Sequence, residues 1–174
     1  MAWRVLLLAG LLGACTEGEA PDDDLQAIHP PEIARIVPAN EALAGVQVRK
    51  LDPATINDAE IGKALPAGPR CDFHYTSSGR PVLAVHMQPD GNAAGAIVKL
   101  NGHLVPLEAT RADADQLEMR AEPVRIVIQP DPRELAKARP GIQRREANMI
   151  FEVGKELRAG YRGYLDCPVP SRKS

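Results

Sequence analysis

The chain is poor in aromatic residues, in cysteine and in long apolar runs, and each shortage excludes something. Aromatic residues are 3% of the 174, so stacking platforms for sugars or bases are poorly supplied. No apolar run approaches the ~20 residues of a spanning helix; the most apolar stretch, Val5–Leu12, is soon followed by Glu17 and Glu19. Neither sign of charge predominates. The formal net charge is −2, so no global field recruits nucleic acid, and no nucleic-acid partner is expected. H-E-x-x-H, P-loop, G-x-G-x-x-G and G-x-S-x-G motifs are missing, as is any C-x-x-C redox pair. No cofactor is expected. What is present is ordinary globular material, 44% hydrophobic and 25% charged.

The first fifteen residues have their own grammar. Arg4 supplies a positive head, Val5–Leu12 an apolar stretch, and Leu12-Gly13-Ala14-Cys15 a small-residue exit into cysteine. This is the layout of an export signal, and the tetrapeptide resembles the lipobox of bacterial lipoproteins. The resemblance implies that Cys15 is acylated on its sulfur and becomes the first mature residue, leaving about 160 residues, enough for one domain plus a tether. It places the protein at the cell envelope, anchored to the membrane through Cys15 and facing the periplasm. Thr16 after the cysteine, by resemblance to lipoprotein sorting, favours the outer membrane.

Acylation of Cys15 leaves Cys71 and Cys167 as an even pair in an oxidising compartment, where disulfides persist. A Cys71–Cys167 bond closes a loop of about 97 residues, worth around 4–5 kcal/mol by chain entropy. Two buried free thiols are the alternative.

Residues 15–38 read as a disordered acidic tether. Glu17, Glu19, Asp22, Asp23, Asp24 and Glu32 face Arg35 alone, and four prolines interrupt any regular element. Such a stretch has too little apolar surface to offset its ordering entropy. Residues 39–70 read as a strand at Val46–Arg49 and a helix begun by Asp52-Pro53, with Asp58 and Glu60 on a solvated surface.

Residues 71–170 form the β-rich domain. Period-two alternation puts Cys71, Phe73 and Tyr75 on one face of a strand and Asp72, His74 and Thr76 on the other. Leu83, Val85 and Met87 share a face in the next strand. Asn101-Gly102 between two apolar runs is a type I′ hairpin signal, pairing Leu100 with His103 and Val98 with Val105. Leu117, Met119 and Ala121 share a face, and Val124, Ile126 and Ile128 follow Pro123. Asp131-Pro132-Arg133-Glu134 has the spacing of a capping box, predicting a short helix to about Ala138. Ala147–Val153 and Tyr161–Cys167 read as the last strands. The expected class is α+β, mainly β: a curved antiparallel sheet or small barrel with one or two short helices, its first strand stapled to its last.

Three constellations invite chemistry. Cys71-x-x-His74, with Cys167, His86 and His103, has metal-ligand residue types, yet residues three apart on a strand point to opposite faces. No metal site is therefore expected. Ser77 and Ser78 lie near His74 and Asp72, but turns are rich in serine for their own reasons, and no catalytic residue is assigned. Arg133, Lys137, Arg139, Arg144 and Arg145 cluster within thirteen residues; with His74 they make a candidate binding surface for a polyanion, anionic lipid or an envelope protein.

The expected role is a non-enzymatic binding or accessory module of the envelope. In size, anchoring and β content the chain is similar to the small lipoprotein inhibitors of lysozyme, although Ser78-Gly79 is followed by Arg80-Pro81 where that family's motif has an aromatic. A hydrolase using His74 or His86 with a carboxylate is the enzymatic alternative. It predicts that the Asp72/His74 face lines a cleft.

Overall fold

The computed structural model describes residues 33–113, 115–133, 137–139 (backbone only) and 141–169. The strands are β1 (Arg70–His74), β2 (Pro81–Met87), β3 (Ala93–Leu100), β4 (His103–Ala112), β5 (Leu117–Ala121), β6 (Val124–Pro130), β7 (Lys137–Arg139), β8 (Ile142–Val153) and β9 (Leu157–Pro168). Turn chemistry sets their order. Asn101 and Gly102 adopt positive φ, 47° and 77°, the type I′ geometry whose twist suits a two-residue hairpin. Leu100 accordingly pairs with His103 and Val98 with Val105, as the alternation predicts. Glu122-Pro123 turns β5 into β6, pairing Ala121 with Val124.

β1 to β6 form an antiparallel meander, β6 pairs with β8, β8 with β9, and β9 with β1. Eight strands thus close a barrel, the small barrel that the sequence suggests. β7 lies outside the ring. It pairs with Ile142–Arg144 of β8, on the edge that β6 occupies at Ala147–Val153.

The inner rows are apolar and packed. Phe73, Leu83, Val85, Val98, Leu100, Val105, Met119, Ile126, Ile128, Met149 and Phe151 are all fully buried, which fills the interior. The outer wall carries Glu118, Arg125, Glu146, Glu152 and Arg162. That is the reverse of a membrane-spanning barrel, whose outer band is apolar. Among the described residues no helix is long and apolar enough to cross a membrane.

Residues 37–53 cross one end of the barrel. α1 (Ala39–Ala42) is tied to the β3–β4 turn by Asn101 Nδ2, which donates to Ala42 O at 3.2 Å. Val37, Ala39, Ala42 and Leu51 join the interior core. Tyr75 OH donates to Pro53 O at 3.0 Å and Tyr161 OH to Asp52 Oδ1, and the two rings pack at a tilt of 38° with centroids 5.1 Å apart. α2 (Asp58–Ala64) covers the outside of β2–β4, where Ile56 and Ile61 pack on Ala84, Ile97 and Leu104.

Several expectations are corrected. Val48–Lys50 is a 3-10 turn, not part of a strand. The helix starts at Asp58, not at Asp52-Pro53, because Asn57 caps it: Asn57 Oδ1 accepts from Glu60 N–H and Glu60 Oε2 from Asn57 N–H. Glu60 is not solvated but 1% exposed. Burial pushes its carboxyl up, but Lys99 Nζ at 2.6 Å and the backbone of Asn57 and Ala34 pull it down further, and the net shift is downward. The helix expected at residues 131–138 is replaced by a turn and β7. Asp131 Oδ1 accepts from Arg133 N–H while Asp131 N–H stays on the ladder with Glu146 O, so the carboxylate serves an Asx turn instead of a helix start. The last six residues read as tether also lie on the barrel: Ile36 bridges Leu104 in parallel, and Ala34 and Val37 are buried. The signal, Cys15 and the rest of the tether fall outside the described residues.

Candidate functional site

Polar side chains meet on the outer face of β1, β9 and β8, and the cysteines explain why. Cys71 and Cys167 form a disulfide, with Cα atoms 4.2 Å apart. The spacing fits directly opposed residues of a non-hydrogen-bonded antiparallel pair. The next pair along the same ladder is Asp72 with Asp166, then Phe73 with Leu165, then His74 with Tyr164. Asp72, His74, Tyr164 and Asp166 therefore share the outer face, and β8 brings Arg144 opposite Asp166.

Arg144 organises the cluster. Its Nε and Nη2 donate to the two Asp166 oxygens at 2.6 and 2.5 Å, and its Nη1 to Ser77 O at 2.6 Å. The guanidinium also sits 5.4 Å from the Tyr164 ring centroid, a cation–π contact. Its side chain is only 9% exposed. The hydrogen bonds to Asp166 are the main cause that raises the Arg144 pKa.

His74 completes the latch. Gly79 O can only accept, so the ring donates from Nδ1, at 2.8 Å, and its Nε2 faces Asp166 Oδ2 at 3.8 Å. The β1–β2 turn is thus held by two of its carbonyls, Ser77 O and Gly79 O. Burial pushes the Asp72 carboxyl up; Arg70 Nε at 2.9 Å and the charge of His74 pull it back, Asp166 pushes it further, and the net shift is upward.

Gly163 makes the seam between β1 and β9 sterically feasible. A Cβ there would lie 2.1 Å from His74 O and 2.7 Å from Phe73 Cζ.

The candidate binding residues are only partly brought together. His74 and Arg144 join the latch. Arg145 lies on the inward row of β8, opposite Leu165. Arg133 is 92% exposed beside Asp131. Lys137 and Arg139 hold register positions opposite Arg144 and Ile142, and their side chains lie outside the description. The basic run is therefore not one face. In the serine constellation, Ser77 contributes its carbonyl, and the His74 Nε2 is aimed at a carboxylate. His86 stands opposite Arg70 in the β1–β2 register, and its Nδ1 is buried without a hydrogen-bond partner among the described residues. Among the described residues no three His, Cys, Asp or Glu side chains converge on a metal position.

Asp166, Tyr164 and Arg70 are the cluster members that sequence reasoning missed. The signal was present: once Cys71 opposes Cys167 across antiparallel strands, Asp72 must oppose Asp166.

A second network spans β5, β6, β8 and β9. Glu118 accepts from Arg125 and Arg120, Arg125 reaches Glu152, and Arg158 closes the chain on Glu152. The Arg125 hydrogen bond leads in holding the Glu118 carboxyl down at about 2, against its burial.

A family described as a domain of unknown function (DUF6692) matches residues 11–170, and the chain belongs to that family. No curated protein and no solved structure matches it.

Proposed function

We propose that this is a lipid-anchored envelope lipoprotein whose barrel serves as a binding or accessory module, not as an enzyme. The observation that carries the reading is the Cys71–Cys167 disulfide. It takes up both downstream cysteines, suits an oxidising compartment, and leaves Cys15 as the unmatched thiol that the lipobox-like Leu12–Cys15 would acylate. The filled interior adds support, because a packed barrel has no room for an enclosed substrate. The latch adds more: Asp166 is neutralised by Arg144 and His74 is turned toward it, so neither is poised for general base work on a substrate. Whatever the module binds meets its outer surface or its ends.

Intact mass and membrane partition of the native protein test the reading, beside a Cys15→Ala variant. A diacylglyceryl-type increment on Cys15, with anchoring lost in the variant, is the expected result. An unmodified Cys15 in a soluble protein would remove the lipoprotein reading and reopen the hydrolase alternative. Inhibition of lysozyme by excess protein would instead select the inhibitor version.

A further inference from the structure

We propose that His74 is a pH-sensitive catch on the seam of the barrel: with its imidazole protonated it holds both the β1–β2 turn and β9, and without the extra proton it holds only one of them. The inference rests on the geometry of the latch and is independent of the lipoprotein reading.

Both ring nitrogens face groups that accept. Nδ1 lies 2.8 Å from Gly79 O, and Nε2 lies 3.8 Å from Asp166 Oδ2. A neutral imidazole carries one N–H, and a protonated one carries two. With its hydrogen on Nδ1 the neutral ring keeps Gly79 O and turns the Nε2 lone pair on the carboxylate. With its hydrogen on Nε2 it serves the carboxylate, and a lone pair then meets Gly79 O at 2.8 Å. Only the imidazolium donates to both, and a charge-assisted bond is also the stronger kind. Water has little access to make up the difference, because the His74 and Asp166 side chains are 13% and 14% exposed.

The charges around the ring are otherwise matched. On β1, Asp72 pairs with Arg70 and also feels the charge of His74. On β8 and β9, Arg144 pairs with Asp166 and Arg162 with Glu146. Directly opposite His74 stand Tyr164 of β9 and Pro81 of β2, which bring no further carboxylate, and Arg80 in the turn is exposed. The guanidinium of Arg144 stays charged throughout, so its bond to Ser77 O at 2.6 Å holds the turn at any pH. Histidine is the residue type that changes charge between about pH 5 and 8. The doubly donating ring exists only when protonated, so its extra hold is present in mild acid and is lost as pH rises. The catch slackens the seam; Arg144 and the disulfide keep it from opening.

The test compares the protein with a His74→Gln variant, whose amide still donates but does not titrate. Urea unfolding with the disulfide intact, at about pH 5.5 and about pH 8, brackets the range in which an imidazole exchanges its proton. The ratio of the two unfolding constants, variant over parent, should fall about fivefold from the lower to the higher pH, the difference between a charge-assisted and a neutral hydrogen bond. Other titrating groups are common to both proteins and cancel in that ratio. A ratio that does not change with pH overturns the proposal, and so does one that rises. Nitrogen NMR of the ring in the parent is the second measurement, and it decides even if His74→Gln does not fold. Both ring nitrogens should carry hydrogen at about pH 5.5 and one of them at about pH 8; a ring with a single N–H at the lower pH overturns the proposal.

Discussion

Replacing Arg144 with methionine should destabilise the barrel by about 3 kcal/mol, and the magnitude follows from what it leaves behind. The guanidinium gives Asp166 two hydrogen bonds and Ser77 O one, all at 2.5–2.6 Å. Without it, Asp166 keeps only His74 Nε2 at 3.8 Å, on a side chain 14% exposed. Removing one partner of a buried pair costs about 3–5 kcal/mol, because the other charge stays desolvated. The slight exposure of Asp166 puts the expected value at the low end. Arg144→Lys keeps the charge but not the fork, and should lose about 1–2 kcal/mol. An Arg144→Met/Asp166→Leu double variant should recover most of the loss, since two apolar groups leave no orphaned charge. Asp72 behaves oppositely. Its carboxyl is raised on folding, so its ionised form subtracts stability above the folded pKa, and Asp72→Asn should be neutral or stabilising at pH 7.

Urea unfolding at pH 7, followed by circular dichroism with the disulfide intact, measures all of these. Amide hydrogen exchange at residues 76–80 should also quicken in Arg144→Met, because the turn loses its Ser77 O tie. If Arg144→Met lies within about 1 kcal/mol of the parent, the pair is an ordinary surface bridge and the latch is misread. A double variant as unstable as the single one would refute the desolvation argument.

Gly163→Ala should destabilise by at least about 3 kcal/mol, beyond ordinary overpacking, because its Cβ meets the His74 backbone at 2.1 Å; a normal melting temperature would mean that β1 can move off β9. Acid should act through Glu118, whose carboxyl is lowered from 4.5 to about 2. The folded value is depressed, so its stabilisation is fully present above about pH 4.5 and is lost as pH falls through about 2. Linkage alone gives at most about 3 kcal/mol, reduced to about 1–2 kcal/mol because its partners Arg120 and Arg125 are 45% and 32% exposed. Glu118→Gln should therefore lose that much at neutral pH and match the parent near pH 2, and a gap that persists there would mean another role for the side chain.

The strands were legible because one face of each is buried, which makes period two a physical necessity. Leu83, Val85 and Met87, or Val124, Ile126 and Ile128, read correctly for that reason. The hairpin at Asn101-Gly102 was legible because few residues tolerate two successive positive φ values. The helix starts failed for a reason that recurs. Asp52-Pro53 and Asp131-Pro132 both look like caps, but Asp before Pro serves equally to open a turn. At each site a different partner claimed the carboxylate: Tyr161 OH at Asp52 and Arg133 N–H at Asp131. The true cap at Asn57 needed Glu60 three residues on, and Glu60 was read as solvated because Lys99, its partner, is remote in sequence. The basic run was misread because adjacent residues on a strand face opposite ways, which separates Arg144 from Arg145.

The placement of the disulfide and the latch has one explanation. Neighbouring strands of the meander close through short turns, whereas β1 and β9 must meet from opposite ends of the domain. That seam carries three ladder pairs, against twelve between β8 and β9. So few pairs repay little of the loop-closure entropy of a separation of 96 residues, a debt that grows with the length of the loop. The disulfide relieves it by constraining the unfolded chain. On the outer face Arg144, drawing on β8, fastens Asp166 of β9 and the turn that follows β1. A seam secured on both faces favours a barrel that stays shut. The polar cluster around His74 is thereby accounted for by closure: Arg144, Asp166 and His74 hold the β1–β9 seam and the turn beside it.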